Sequence, residues 1–315
     1  MSEPRPSGVH FSADYERHDT GPGHPESAHR YQVLSAALEA LPPAIVRLAA
    51  GRRASVAEIL LAHDHRYHDL VYRDTESLAD FLRTGDTAIC EHSYDVALEA
   101  CGAALTAIDA VMAGELASVF CAVRPPGHHA SANRGMGFCV FNHVAIGARY
   151  LQARYGLHRI AIIDWDVHHG NGTEEIFIED PGVFYVSLHE EHIYPFTGAA
   201  TTCGRGAGLG TNLNIPLPRH SDGSVALAAW EAQVAPAMAA FQPEFVLVSA
   251  GFDARIDDPV GGLCWDDATF AEMTRRCVAF ARRWGCGRLV SVLEGGYNPP
   301  GLAAAAVAHV LALSQ

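Results

Sequence analysis

The chain has 315 residues, 49% of them hydrophobic and 18% charged, a balance that supports a substantial core and excludes a disordered chain. Its formal net charge of −14 disfavours nucleic acid or an anionic membrane as a partner and suits a cationic substrate. The N-terminus lacks an apolar targeting core, and no apolar run approaches the roughly 20 residues that span a bilayer, so a soluble, cytoplasmic protein is expected.

In chain order, residues 1–30 are polar and rich in Pro, Gly and His. Gly23-His-Pro-Glu-Ser-Ala-His-Arg30 leads into an amphipathic helix expected over 31–41, with Glu26 favourable near its start. A short strand is expected at 58–62, then a mixed segment, and Thr84-Gly-Asp-Thr87 precedes a long helix over 93–113. From there apolar strand, polar turn and helix alternate. Strands are expected at 118–123, 159–164, 183–188, 245–249 and 289–293, and helices at 142–155, 173–178, 224–240, 269–284 and 301–313. This alternation predicts an α/β fold, a mainly parallel sheet with helices on both faces. No linker, repeat or low-complexity tract interrupts it, so one domain over 1–315 is expected. Eight cysteines form no Cys-x-x-Cys pair and read as small core residues in a reducing compartment.

The expected strand ends carry the chemistry. They run into Arg124-Pro-Pro-Gly-His-His-Ala130, Asp164-Trp-Asp-Val-His-His-Gly-Asn-Gly172, Ser187-Leu-His189, Ser249-Ala-Gly-Phe-Asp253 and Leu293-Glu-Gly-Gly-Tyr297. Ligands of open α/β sheets bind beyond the carboxyl ends of the strands, so these ends define one site. In an extended chain Asp164, Asp166 and His168 face the same way. Asp166 and His168 read as ligands for a metal of zinc type, and Asp253 is the best third, since a catalytic site keeps one position open. Neighbouring His128 and His129 diverge and suit proton transfer. Pairing of His128 with Asp164 would favour an imidazolium, and pairing of His129 with neutral Asn171 would leave a base of lower pKa. Tyr297, after two glycines, can donate to a carbonyl oxygen turning into an oxyanion. Phe138 and Tyr194 supply aromatic walls.

These motifs, with Gly137-Phe-Cys-Val-Phe-Asn142, resemble the zinc-dependent histone deacetylase family over the whole chain; Trp165 and Asn171 look like its class II branch. That family includes acetylpolyamine amidohydrolases and deacetylase-like amidohydrolases. The resemblance implies the arginase/deacetylase fold, zinc on Asp166, His168 and Asp253, Tyr297 polarising the scissile carbonyl, His129 as base and then acid, and His128 as its electrostatic partner. It implies a structural potassium on Asp164, Ser187 and the carbonyls of Asp166, His168 and Leu188, and an outer one at Phe177, Asp180 and Val183. Gly137, Phe138 and Tyr194 would line the substrate tunnel, Arg30 matches an inner-cavity arginine, and Asp86 matches a rim aspartate. Two departures bear on substrate: Phe196 replaces a glycine of many relatives and is expected to reshape the tunnel mouth, and Val260 stands where a polyamine-specialised relative has a glutamate.

The expected function is zinc-dependent deacetylation of acetyl-lysine side chains or acetylpolyamines by metal-activated water. Iron(II) can use the same ligands. The expected partner is a small cationic acylamide or an acetyl-lysine substrate, with no nucleic acid or membrane and with a homo-oligomer left open. An arginase-like ureohydrolase with two manganese ions and a non-catalytic acyl-lysine binding module are the alternatives.

Overall fold

Runs such as Ile160–Asp164 are buried along their whole length, as strands covered on both faces must be. The structure, a computed structural model, describes residues 5–48 and 51–315; the start of the expected polar leader, residues 1–4, lies outside the described residues. The strands are β1 Ser7–His10, β2 Val46–Arg47, β3 Ser118–Cys121, β4 Ile160–Asp164, β5 Val183–Glu190, β6 Asn212–Leu217, β7 Phe245–Ala250 and β8 Leu289–Leu293. They form one sheet in the order β2-β1-β3-β8-β7-β4-β5-β6, and every neighbouring pair is parallel.

The helices are α1 Ala28–Glu39, α2 Val56–Ile59, α3 His65–Glu76, α4 Ser93–Met112, α5 His143–Tyr155, α6 Asn171–Phe177, α7 Gly223–Ala229, α8 Ala235–Phe241, α9 Asp267–Trp284 and α10 Pro299–Leu313. Adjacent residues of β3 show that both faces are covered. The Phe120 ring meets His309 of α10, while Cys121 reaches the Ala103 carbonyl of α4, and successive strand residues point to opposite faces. His309 lies within the core, with its ring nitrogens 2.6 Å from Thr274 Oγ1 and 2.8 Å from Ser291 Oγ.

Several local expectations are corrected. Residues 58–62 are not a strand: α2 begins at 56, because Ser55 and Glu58 form a capping box that satisfies two orphan amides. The mixed segment holds the twelve-residue α3. The helix expected over 224–240 contains a π-helical turn, Trp230–Val234, ahead of Pro236, which has no N–H to continue an α-helical ladder. Glu26 precedes α1, whose cap is Ser27, and is fully buried among ionic partners. All eight cysteines are free, but only Cys101, Cys121, Cys139 and Cys277 are buried; Cys203 and Cys286 are exposed. No helix among the described residues is long and apolar enough to cross a membrane.

Candidate metal centre

β4, β7 and β8 lie side by side in the sheet, with Asp164 opposite Ser249 and Ala250 opposite Leu293. The segments beyond their carboxyl ends therefore meet, and backbone amides aim the carboxylates. Asp166 Oδ1 accepts from the His168 amide at 2.9 Å, and its Oδ2 accepts from the Gly295 amide at 2.8 Å. Asp253 Oδ1 accepts from the Val167 amide at 2.8 Å. His168 Nδ1 then lies 3.0 Å from Asp166 Oδ1 and 3.1 Å from Asp253 Oδ2.

These three buried side chains form a group able to hold a metal ion, with ligand atoms all within 4.8 Å of one another. Asp253 Oδ2 has no hydrogen-bond partner although it is buried. An orphaned anionic oxygen in a dry site is costly, and a shared cation removes that cost. Two glycines make the approach possible. A Cβ on Gly251 would fall 2.3 Å from Asp166 Oδ2, and one on Gly295 would fall 2.2 Å from Asp253 Oδ2.

The turn after β3 brings in the tandem histidines. Glu294, at the end of β8, accepts from the amides of Gly127 at 2.7 Å and His128 at 3.1 Å, and its other oxygen accepts from Ser249 Oγ at 3.0 Å. His128 Nδ1 lies 3.0 Å from Asp164 Oδ2, and His129 Nδ1 lies 2.8 Å from Asn171 Oδ1. Burial opposes charge on His128, but Asp164, Asp166 and Glu294 outweigh it and hold its pKa raised to about 10. Burial, reinforced by His128 and His168, pushes His129 well below the usual histidine range. The two neighbours thus differ in charge at neutral pH. Asp164 also accepts from the Tyr185 hydroxyl at 2.9 Å, and it stands opposite Ser187 in the β4–β5 register.

A cavity of about 160 Å³ leads to these groups, lined by Asp86, His129, Gly137, Phe138, His168, Tyr194, Val260 and Tyr297. Phe138 and Tyr297 meet edge to face at 6.1 Å, and Tyr194 meets His129 at 5.3 Å. A side chain at position 137 would collide with the His129 ring, since a Cβ there falls 2.3 Å from His129 Cδ2. Asp86 orders this wall by accepting from the Gly137 amide at 2.7 Å. Burial, with Asp253 and Asp166 adding, raises the Tyr297 phenol well above its usual value, so it remains a proton donor.

Arg30 lies outside the cavity lining. Its guanidinium donates to the carbonyls of Gly296 at 2.8 Å and Glu294 at 3.0 Å, pairs with Glu26, and stands 5.3 Å from the Tyr297 ring centre. Phe196 lies outside the cavity lining: it is 79% exposed and borders a neighbouring hollow with His189 and His192. At Phe177 and Asp180 a cation is supplied by the chain: Arg149 pairs with Asp180 and lies 4.7 Å from the Phe177 ring centre. The supporting carboxylates Glu294 and Asp258 escaped the sequence reading as site residues. Their signal is weak, since a carboxylate that collects buried amides looks in sequence like a surface acid.

Residues 24–313 match the histone deacetylase domain. The chain belongs to the histone deacetylase family. It is therefore a hydrolase of the deacetylase class, and its sheet and surrounding helices are the arginase/deacetylase α/β fold. Among relatives, it is 37% identical over 298 residues to a probable deacetylase of Archaeoglobus fulgidus, covering 94% of this chain and 82% of that protein. It is 39% identical to histone deacetylase 14, chloroplastic, of Arabidopsis thaliana, covering 87% and 69%. It is 41% identical to the polyamine deacetylase HDAC10 of Danio rerio, covering 78% of this chain and 38% of that protein. The crystal structure of the HDA15 HD domain is similar with a TM-score of 0.89 at 32% identity, covering 97% of this chain and 90% of that one.

Proposed function

We propose that this deacetylase-family protein is a zinc-dependent amidohydrolase that removes an acetyl group from a primary amine on a flexible aliphatic chain, either an acetyl-lysine side chain or an acetylated polyamine. One observation carries the reading: an aromatic-walled cavity is lined by His168, one of three buried side chains whose ligand atoms converge.

Asp166, His168 and Asp253 would hold the zinc, and iron(II) would use the same atoms; bound there, the metal supplies a Lewis acid toward water and the acyl oxygen. The donor set suits this. A single Nδ1 faces two carboxylate oxygens, and the one on Asp253 makes no hydrogen bond.

Asn171 Oδ1 accepts from His129 Nδ1–H, which leaves the Nε2 lone pair on the cavity side. His129 takes a proton from water as its oxygen attacks the acyl carbon, then delivers a proton to the departing amine nitrogen. Tyr297 donates its hydroxyl hydrogen bond to the oxygen that gains charge. Charged His128 offsets the carboxylates around it. A structural potassium would use Asp164, the adjacent Ser187 and the Leu188 carbonyl, a role supported by the pairing of Asp164 with Ser187 across β4 and β5.

A cationic substrate suits the net charge of −14 and the exposed Asp86 at the cavity. Val260 gives that wall an apolar side chain, which favours an aliphatic stem over a second ammonium at that point.

The test is acetate release from acetyl-lysine peptides and from acetylated polyamines, with and without a chelator, beside metal analysis of the purified protein. Turnover that the chelator abolishes and that one zinc per chain restores is expected. Two manganese ions per chain would replace this reading by a binuclear ureohydrolase, and no turnover of any acylamide would make the protein a binding module.

A further inference from the structure

The chemistry described above leaves unused a buried carboxylate, Asp258, which is 9% exposed. Its Oδ2 accepts from the amides of Tyr297 at 2.6 Å and Asn298 at 3.3 Å. Its Oδ1 accepts from the amides of Val260 at 2.9 Å and Gly261 at 3.2 Å. Four amides from two loops thus converge on one side chain, and an ionised carboxylate has the two oxygens and four lone pairs to receive them. Charge-assisted bonds of this kind are among the stronger ones a backbone can make.

The two loops are the two that matter at this wall of the cavity, because Val260 and Tyr297 both line it. Tyr297 follows Gly295 and Gly296, the latter at φ +127°, so its local backbone is intrinsically permissive. Outside groups must hold it. On one side Arg30 holds the carbonyls of Glu294 and Gly296, and on the other Asp258 holds the amide of Tyr297.

We propose that Asp258 is a positioning residue for catalysis: by holding the Tyr297 amide and the Val260 loop on one carboxylate, it fixes the Tyr297 hydroxyl relative to a substrate carbonyl in the tunnel. The inference rests on the amidohydrolase reading above. Its rival is a purely structural role, in which Asp258 steadies the start of α10 next to its cap Asn298. The two differ in what happens once the Tyr297 hydroxyl is gone.

The experiment is a double-mutant cycle on the metal-loaded protein, using Asp258→Asn, Tyr297→Phe and the pair, with an acetyl-lysine peptide or acetylpolyamine turned over by the unmodified protein. Asp258→Asn keeps the size but turns one acceptor oxygen into a donor. It is expected to lower kcat about tenfold or more, with KM within about twofold and metal content unchanged, because a small misplacement of a reacting group is costly. The double variant is expected to match Tyr297→Phe to within about twofold. Reductions that multiply would overturn the proposal, as would Asp258→Asn changing KM alone. Should Asp258→Asn not fold, Asp258→Glu, which keeps both acceptor oxygens on a longer stem, replaces it in the cycle; failure of both to fold also overturns the proposal by making Asp258 a determinant of the fold. No acetate from the unmodified protein would overturn the amidohydrolase function, and this inference with it, at the first measurement.

Discussion

Tyr297 and Glu294 are three residues apart and serve the same centre in different ways. Tyr297 presents a protonated hydroxyl to the cavity, so Tyr297→Phe is expected to lower kcat by about 10²–10³ while metal content, read by elemental analysis, stays the same. Equal activity in that variant would remove the oxyanion role. Glu294 works through backbone instead: Glu294→Ala leaves the buried amides of Gly127 and His128 without an acceptor. A loss of about 2–4 kcal/mol in denaturant unfolding is expected, because each orphaned amide costs its desolvation. Asp166 and Asp253 show the same economy of design. Each gives one oxygen to a backbone amide and turns another toward His168.

Among the elements, the strand ends are built around close approach. Gly251 follows β7 and Gly295 follows β8, and a methyl at either would meet a candidate metal-ligand carboxylate at about 2.2–2.3 Å, far inside van der Waals contact. Gly295→Ala is therefore expected to give a folded protein, by circular dichroism, that retains less than one metal per chain after dialysis. Full metal retention would show that the carboxylates can shift. At α2 the capping box makes a separable contribution. Ser55→Ala is expected to cost about 1 kcal/mol in equilibrium unfolding and to leave acetate release unchanged, because α2 lies away from the cavity lining.

For the molecule as a whole, buried neutral histidines set the acid limit of stability. Burial depresses His63 to about 3, His143 to about 4 and His309 to about 3, whereas an unfolded chain titrates each near 6.5. Between pH 6.5 and about 4 the unfolded state binds more protons than the folded one. The contribution of these three groups is thus fully present above pH 6.5 and falls with acidification, by up to about 1.4 kcal/mol per pH unit for each group. Denaturant midpoints are expected to fall steeply from pH 6.5 to 5 as these histidines charge in the unfolded chain. A midpoint that rises over that acid interval would contradict the assignment of these histidines as neutral.

The sequence by itself determined the alternation of strand and helix after residue 118 and the contents of the strand ends. Period-two geometry is local, so Asp164, Asp166 and His168 could be read as one face without any neighbour. Tertiary structure decided what those ends meet. The order β3-β8-β7-β4 brings residues 124–130, 166–168, 253 and 294–297 together, although they are scattered over most of the chain. Strands β1, β2 and β6 were illegible because they are short or, like β6 with Asn212 and Asn214, broken by polar residues whose partners come from elsewhere. Glu26, Glu294 and Asp258 show the same limit. A carboxylate becomes a buried anchor only when the fold closes around it and supplies guanidinium groups or amides, and no local pattern in the chain records that closure.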